Sequence, residues 1–186
     1  MIPALAYELE RSLSHRLGAP LRIGVAATGR EALAIALAAA DRAADAVASW
    51  PCPFASLTHS GDVAIAVALP PHVRATGIGI DLEHDRPIKP GMARLICCKH
   101  ERSWLASLPV ERQPAEVLRL WTAKEALYKA DPAQGDAIVA DYTLAHPGDP
   151  ITAGGRLDSF HRATVTSLRP PGAVISVALQ LSGEPT

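Results

Sequence analysis

Lysine is scarce in this chain. Only Lys89, Lys99, Lys124 and Lys129 occur among 186 residues, and every other Lys/Arg cation is an arginine. The net charge is −1, so there is no bulk basic footprint for nucleic acid. Neither part is charge-biased: residues 1–75 carry six acids and six Lys/Arg, residues 76–186 thirteen and twelve. Cysteine is limited to Cys52, Cys97 and Cys98. An odd number, two of them adjacent, gives no disulfide framework and no zinc spacing. It fits a reducing cytoplasm and small thiols buried in a core. The most apolar run, Ala32 to Ala40, is too short to cross a bilayer. The first residues show no basic segment leading into an apolar one, so no signal peptide is expected. At 48% hydrophobic and 20% charged residues, the chain reads as globular. Its length suits one domain or two small halves sharing a core.

Because lysines are few, their placement is informative. Two of the four fall in Trp121-Thr-Ala-Lys-Glu-Ala-Leu-Tyr-Lys129. At about 100° per residue, a helix over 115–131 puts Leu120, Ala123, Leu127 and Ala130 on one apolar stripe. Thr122, Glu125 and Lys129 fall opposite. Lys124 lies at the margin of the stripe, where its stem is covered and its ammonium held at a defined point. Alone, this stretch is an ordinary surface helix with a Glu→Lys pair worth about 0.2–0.5 kcal/mol.

The companion stretch is Gly77-Ile-Gly-Ile-Asp-Leu-Glu83, read as a strand over 75–83. Alternation sends Ile78, Ile80 and Leu82 into a core and turns Gly79, Asp81 and Glu83 the other way. Two carboxylates at i,i+2 on one face stand about 6–7 Å apart, and no Lys or Arg occupies the alternate positions. A divalent cation is the simplest neutraliser. Oxygen ligands without histidine favour a hard ion, Mg²⁺ first, with Mn²⁺ as the alternative. Gly77 and Gly79 leave room for a ligand to approach the backbone.

Elsewhere, residues 4–17 read as an amphipathic helix and 21–26 as a strand. A long alanine-rich helix over 30–48 starts at Thr28 or Gly29 and ends at Trp50-Pro-Cys-Pro53. Arg30 stands in its first turn, where a cation is disfavoured unless an anion lies near. Strands at 54–59 and 63–69 flank the turn Ser60-Gly-Asp62. The second is apolar on both faces and therefore central. Two short helices (91–97, 99–107) precede the main helix, and strands at 137–144, 155–160, 162–168 and 173–180 follow it. Leu95, Ile96, Trp104 and Leu108 are core residues or a partner surface, with core favoured. Each part runs from helix to antiparallel strands. This predicts an α+β fold of two similar halves, residues 1–75 and 76–186, with a cleft between them. The likeness is one of element order, with no residue-level repeat.

Taken as an ordered set, these motifs resemble the paired signature of the 4'-phosphopantetheinyl transferases. Gly79-Ile-Asp-Leu-Glu83 is followed, 37 residues after Glu83, by Leu120-Trp-Thr-Ala-Lys-Glu-Ala-Leu-Tyr-Lys129. Ser56-Leu-Thr-His-Ser60 is similar to the family's Ser-x-Ser/Thr-His-Ser/Cys segment. Thr28-Gly29-Arg30 resembles its arginine near the nucleotide. The length resembles the monomeric surfactin- and enterobactin-type branch, with a pseudo-two-fold pair of α+β halves. The resemblance implies an Mg²⁺-dependent enzyme that moves the 4'-phosphopantetheine arm of coenzyme A to a serine of an apo acyl or peptidyl carrier protein, releasing adenosine 3',5'-bisphosphate. Polyketide or nonribosomal peptide synthesis is the implied setting.

The same resemblance implies roles by position. Asp81, Glu83 and Glu125 would hold the metal, with Asp81, Glu125 and Lys129 as catalytic residues. Glu125 would be the base for the carrier serine, and Lys129 would neutralise charge on the leaving side. Arg30, Thr58, His59, Lys124 and Lys129 would bind coenzyme A. Residues 1–75 would form the nucleotide side and 76–186 the metal side. One departure stands out: the family's basic Gly-Arg/Lys-x-Gly-x-Pro segment is missing, with no Lys or Arg between Arg42 and Arg74. The alternative reading is therefore a homologue that binds coenzyme A or a carrier without transfer.

Overall fold

The computed structural model describes residues 2–43, 52–157 and 162–182. The order of elements is α1 (Ile2–Leu17), β1 (Arg22–Ala26), α2 (Gly29–Ala39), β2 (Ala55–Ser60), β3 (Val63–Ala68), β4 (Ala75–His84), α3 (Met92–Ile96), α4 (Lys99–Ala106), α5 (Gln113–Ala130), β5 (Tyr142–Leu144), β6 (Ile151–Arg156), β7 (Ala163–Leu168) and β8 (Ala173–Leu181). The strands form two antiparallel sheets, ordered β1-β3-β2 and β4-β8-β7-β6-β5. The fold is α+β. As its two apolar faces require, β3 is the central strand of the smaller sheet.

The two sheets face each other across one apolar layer. Ile23 and Val25 of β1, Ile65 and Val67 of β3, Ile78 and Ile80 of β4, and Ile175 and Val177 of β8 meet there. Helix α1 closes this layer with Leu9, Leu13 and Leu17. The opposite face of the smaller sheet carries α2 through Ala32, Ala36 and Leu37, which meet Ala64, Ala66 and Ala68. The opposite face of the larger sheet carries α5 through Leu120, Ala123, Ala126, Leu127 and Ala130. The apolar stripe expected on α5 is thus buried. Thr122, expected opposite it, is buried too, and its hydroxyl donates to Leu118 O at 2.8 Å.

Three boundaries differ from expectation. Helix α2 stops at Ala39, and Asp41 adopts φ 55°, a left-handed conformation that Asp tolerates better than most residues. Residues 44–48 of the expected helix, with Trp50 and Pro51, lie outside the described residues. The strand expected over 137–144 is only Tyr142–Leu144. Before it, Val139–Asp141 form a 3-10 turn, with the Asp141 carboxylate accepting from Ile138 N at 2.8 Å. The strand expected over 155–160 instead spans Ile151–Arg156, and residues 158–160 lie outside the described residues.

The structure also reveals a residue-level repeat where only a shared element order was expected. In both halves the first strand pairs with the second strand of a later hairpin: β1-β3-β2 matches β4-β8-β7. A Cβ on Gly24 would lie 1.9 Å from Ala32 O and 2.8 Å from Ala36 N. A Cβ on Gly79 would lie 1.9 Å from Ala126 O and 2.8 Å from Ala130 N. Superposing these contacts aligns Ile23-Gly-Val25 with Ile78-Gly-Ile80. It also aligns Arg30-Glu-Ala-Leu-Ala-Ile-Ala36 with Lys124-Glu-Ala-Leu-Tyr-Lys-Ala130. The glycines let each helix backbone settle directly onto its strand. Gly24→Ala and Gly79→Ala are therefore expected to destabilise the protein to a similar extent, about 1–3 kcal/mol or more each. Urea denaturation of the two variants checks this. Only one glycine proving sensitive would show that the two packings are not equivalent.

Candidate active site

The repeat also shows where the halves diverge. Ala26 and Ile35 of the first half correspond to Asp81 and Lys129 of the second. Close packing is retained in both copies, but this pair of opposite charges occurs in one.

Those charges line a cleft where β2, β4 and α5 meet. Its walls are Leu57, Thr58, His59, Asp81, Glu83, Trp121, Glu125 and Lys129, and its volume is about 420 Å³. Strand alternation turns Asp81 and Glu83 toward α5, and one helical turn separates Glu125 from Lys129. The structure thus brings together six of the residues singled out in the sequence.

Asp81 is buried. Its Oδ1 accepts from Lys129 Nζ at 2.8 Å and from Thr58 Oγ1 at 3.1 Å. Its Oδ2 is also buried and has no partner among the described residues. Burial pushes the Asp81 carboxyl above its ordinary value, against the lowering effect of Lys129 and Thr58. Glu125 is half-buried and makes no hydrogen bond to another described residue. Burial first, then repulsion from Asp81, raises its carboxyl as well. Glu83 accepts from Trp121 Nε1 at 3.1 Å through Oε1, and Arg86 Nε lies 3.4 Å from its Oε2.

The strand carboxylates are therefore not unpaired, as the strand's own alternation suggested. Their cations come from outside it: Lys129 from α5, Arg86 from the segment after β4. Lys129 pairs with Asp81 rather than with Glu125, and also donates to Ile80 O at 3.1 Å. Three carboxylates still face one ammonium inside the cleft. An unpartnered buried carboxylate oxygen and two further carboxylates, with the His59 imidazole exposed on the cleft wall, form a mainly oxygen donor set that suits a hard divalent cation.

Two expected residues lie elsewhere. Lys124 is fully buried and does not line the cleft. Its Nζ lies 2.7 Å from Glu101 Oε2 and donates to Ile96 O at 2.6 Å. The structure does not bring Lys124 to the cleft where a coenzyme A phosphate was expected to meet it: its ammonium is engaged inside the protein. The wheel placed its Cα correctly at the stripe margin, but Glu101 lies on another helix and no spacing announced it. Arg30 is exposed in the first turn of α2 and makes no hydrogen bond or ion pair to another described residue. Thr28 caps that helix, its hydroxyl accepting from Glu31 N at 3.3 Å. Arg42, the last cation before the basic gap, is committed to Leu69 O at 2.5 Å and stacks over Phe54 at 4.1 Å.

Cys52 and Cys97 are buried, as expected, and burial pushes the Cys97 thiol up to about 11. Cys98 is half-exposed, with its sulfur 3.1 Å from His100 Nδ1. Cys98, His100 and Glu101 have donor atoms within 4.8 Å of one another. Yet Glu101 has no lone pair to spare: it accepts from Lys124, Cys98 N, Leu144 N and the Thr143 hydroxyl. Sequence reasoning missed Trp121 and Ser56 as partners of the site, and Glu101 as the partner of Lys124. Trp121 at least was visible as the first residue of the helical motif.

Residues 77–167 match the family model described as the 4'-phosphopantetheinyl transferase superfamily. Over 74 residues the chain is 36% identical to 4'-phosphopantetheinyl transferase psf-1 of Bacillus pumilus, covering 40% of this chain and 30% of that protein. Over 102 residues it is 33% identical to 4'-phosphopantetheinyl transferase Svp of Streptomyces mobaraensis, covering 46% of this chain and 41% of that protein. The chain thus spans less than half the length of these curated relatives. Among the described residues, no helix is long and apolar enough to cross a membrane.

Proposed function

We propose that the chain, whose residues 77–167 match the 4'-phosphopantetheinyl transferase superfamily, is a member of that family and transfers the 4'-phosphopantetheine arm of coenzyme A to a serine of an apo carrier protein. The observation that carries this reading is the cleft itself. Asp81, Glu83 and Glu125 line it beside Lys129, with one buried carboxylate oxygen left unsatisfied among the described residues. On this reading Asp81, Glu83 and Glu125 hold Mg²⁺, or Mn²⁺ in its place. When bound, the ion supplies charge neutralisation on the pyrophosphate and makes its phosphorus more open to attack.

The chain's own groups do the rest. The carrier serine oxygen forms a bond to the phosphorus bearing pantetheine, and the bond from that phosphorus to the leaving oxygen breaks. Glu125 takes the serine proton, directly or through a water. Lys129 stands beside the developing charge on the departing adenosine 3',5'-bisphosphate. His59, exposed at the mouth, and Arg30, uncommitted at the start of α2, are available to the outer phosphates. Residues 1–75 then act as the nucleotide side and 76–186 as the metal side of a cytoplasmic monomer. Its carriers belong to polyketide or nonribosomal peptide synthesis.

The test is direct. The protein is incubated with coenzyme A, Mg²⁺ and a panel of apo acyl and peptidyl carrier proteins, and each carrier is weighed by mass spectrometry. One carrier is expected to gain the mass of a single phosphopantetheine arm. Coenzyme A binding by calorimetry with no mass gain on any carrier would instead support the non-catalytic homologue. The stretch without Lys or Arg between Arg42 and Arg74 is what keeps that second reading in play.

A further inference from the structure

Strand β4 lies at the edge of its sheet. Among the described residues its outward N–H and C=O groups have no ladder partner, and buried backbone groups must find one elsewhere. For the N–H groups of Ile80 and Leu82 the partners are side chains of β2, a strand of the other sheet, and Ile80 O takes Lys129 of α5. Ser56 Oγ accepts from Ile80 N at 3.1 Å, and Thr58 Oγ1 accepts from Leu82 N at 3.3 Å. Ser60 Oγ meets His84 Nδ1 at 2.9 Å. Each contact joins residue i to residue i+24, so alternate hydroxyls of β2 form a rail along β4. This accounts physically for the polar alternation of Ser56-Leu-Thr-His-Ser60.

Thr58 does one thing more. A hydroxyl has a single proton to donate, and Thr58 spends it on Asp81 Oδ1 at 3.1 Å. Lys129 donates to the same oxygen at 2.8 Å. Two donors on Oδ1 fix the rotation of the carboxylate and leave Oδ2 buried without a partner among the described residues. Thr58 is itself buried, and it has no proton left for a phosphate unless it releases Asp81. We propose that Thr58 is a positioning residue that clamps Asp81 so that Oδ2 faces the divalent cation, and that it is not a ligand of coenzyme A. This assignment rests on the Mg²⁺ reading of the cleft. It links the two halves mechanically, because a residue of the smaller sheet sets the geometry of a ligand on the larger one.

The test uses Thr58→Val, which keeps the side-chain shape and removes the hydroxyl, and Thr58→Ser, which restores it. Mn²⁺ affinity is read by electron paramagnetic resonance without coenzyme A, and coenzyme A affinity by calorimetry in EDTA. Loss of a group that orients a ligand typically costs roughly tenfold to a hundredfold in metal affinity. Thr58→Val is expected to lose Mn²⁺ affinity in that range, Thr58→Ser to recover it, and coenzyme A binding in EDTA to stay unchanged in both. Wild-type Mn²⁺ affinity in Thr58→Val, or lost coenzyme A affinity in EDTA, would overturn the proposal. A stability cycle of Thr58→Val with Asp81→Asn in EDTA reads the clamp without any metal. Non-additive denaturation midpoints support the clamp and additive ones overturn it. If the wild-type protein binds no Mn²⁺, the metal reading falls, and this cycle alone decides the role of Thr58.

Discussion

Glu125→Gln is expected to abolish transfer to a carrier while raising the stability of the metal-free protein. The two effects have opposite signs because the same charge causes both. In the folded chain Glu125 is half-buried and repelled by Asp81, so its carboxyl is raised above the ordinary value of 4.5. A carboxyl raised by folding favours the folded state while protonated. That advantage is present below the unfolded value and is lost as pH rises through the higher folded value. At neutral pH in EDTA, ionised Glu125 therefore opposes folding, and a neutral glutamine relieves that opposition. In transfer, glutamine removes a base and a metal charge together. Loss of general-base assistance alone costs on the order of 10²–10⁴-fold. Two measurements check this: the rate of carrier modification with saturating Mg²⁺, and the urea midpoint in EDTA between pH 5 and 8. Full transfer activity in the variant would remove Glu125 from the mechanism. A lower midpoint would show that Glu125 has a stabilising partner in the folded state.

Much of the second half was legible because its elements carry strong patterns. The strand Gly77–Glu83 alternates cleanly, and α5 shows its stripe at helical spacing, so the meeting of Asp81, Glu83, Glu125 and Lys129 follows from two periodicities and one packing contact. The internal repeat was harder to see because its spacing differs between the halves. Two residues separate β1 from α2, while 28 residues, including α3 and α4, separate β4 from α5. What aligns the halves is a pair of glycines touching helix backbone, a contact between elements that no linear spacing reports. Pairings that cross elements were likewise hidden. Glu101 reaches Lys124 from α4, and Thr58 reaches Asp81 from the other sheet. The burial of Lys124 in particular was hidden because its environment was read from its own helix. At the margin of a stripe a lysine can snorkel outward or turn inward, and a buried carboxylate on a neighbouring helix decides which.

That carboxylate makes Lys124→Met the variant expected to cost the most stability, about 3–5 kcal/mol. This is the usual effect of removing one partner of a buried ion pair. Lys124 and Glu101 both have no exposed side-chain surface. Methionine fills the space of the lysine stem but leaves Glu101 as a buried charge without its counterion. Ile96 O loses its donor as well. Glu101 cannot escape by turning, because Leu144 N at 3.0 Å, Cys98 N at 3.0 Å and the Thr143 hydroxyl at 3.3 Å hold its two oxygens. Adding Glu101→Gln to Lys124→Met is expected to recover part of the loss. The amide keeps one acceptor for those backbone donors and removes the stranded charge. Thermal and urea denaturation of the two single variants and the double variant give the coupling directly. The same series separates two roles for this lysine. A phosphate ligand would lose coenzyme A affinity with little change in stability, and the double variant would recover nothing. A structural lysine shows the reverse: a large loss of stability, partial rescue by Glu101→Gln, and coenzyme A affinity restored along with the fold.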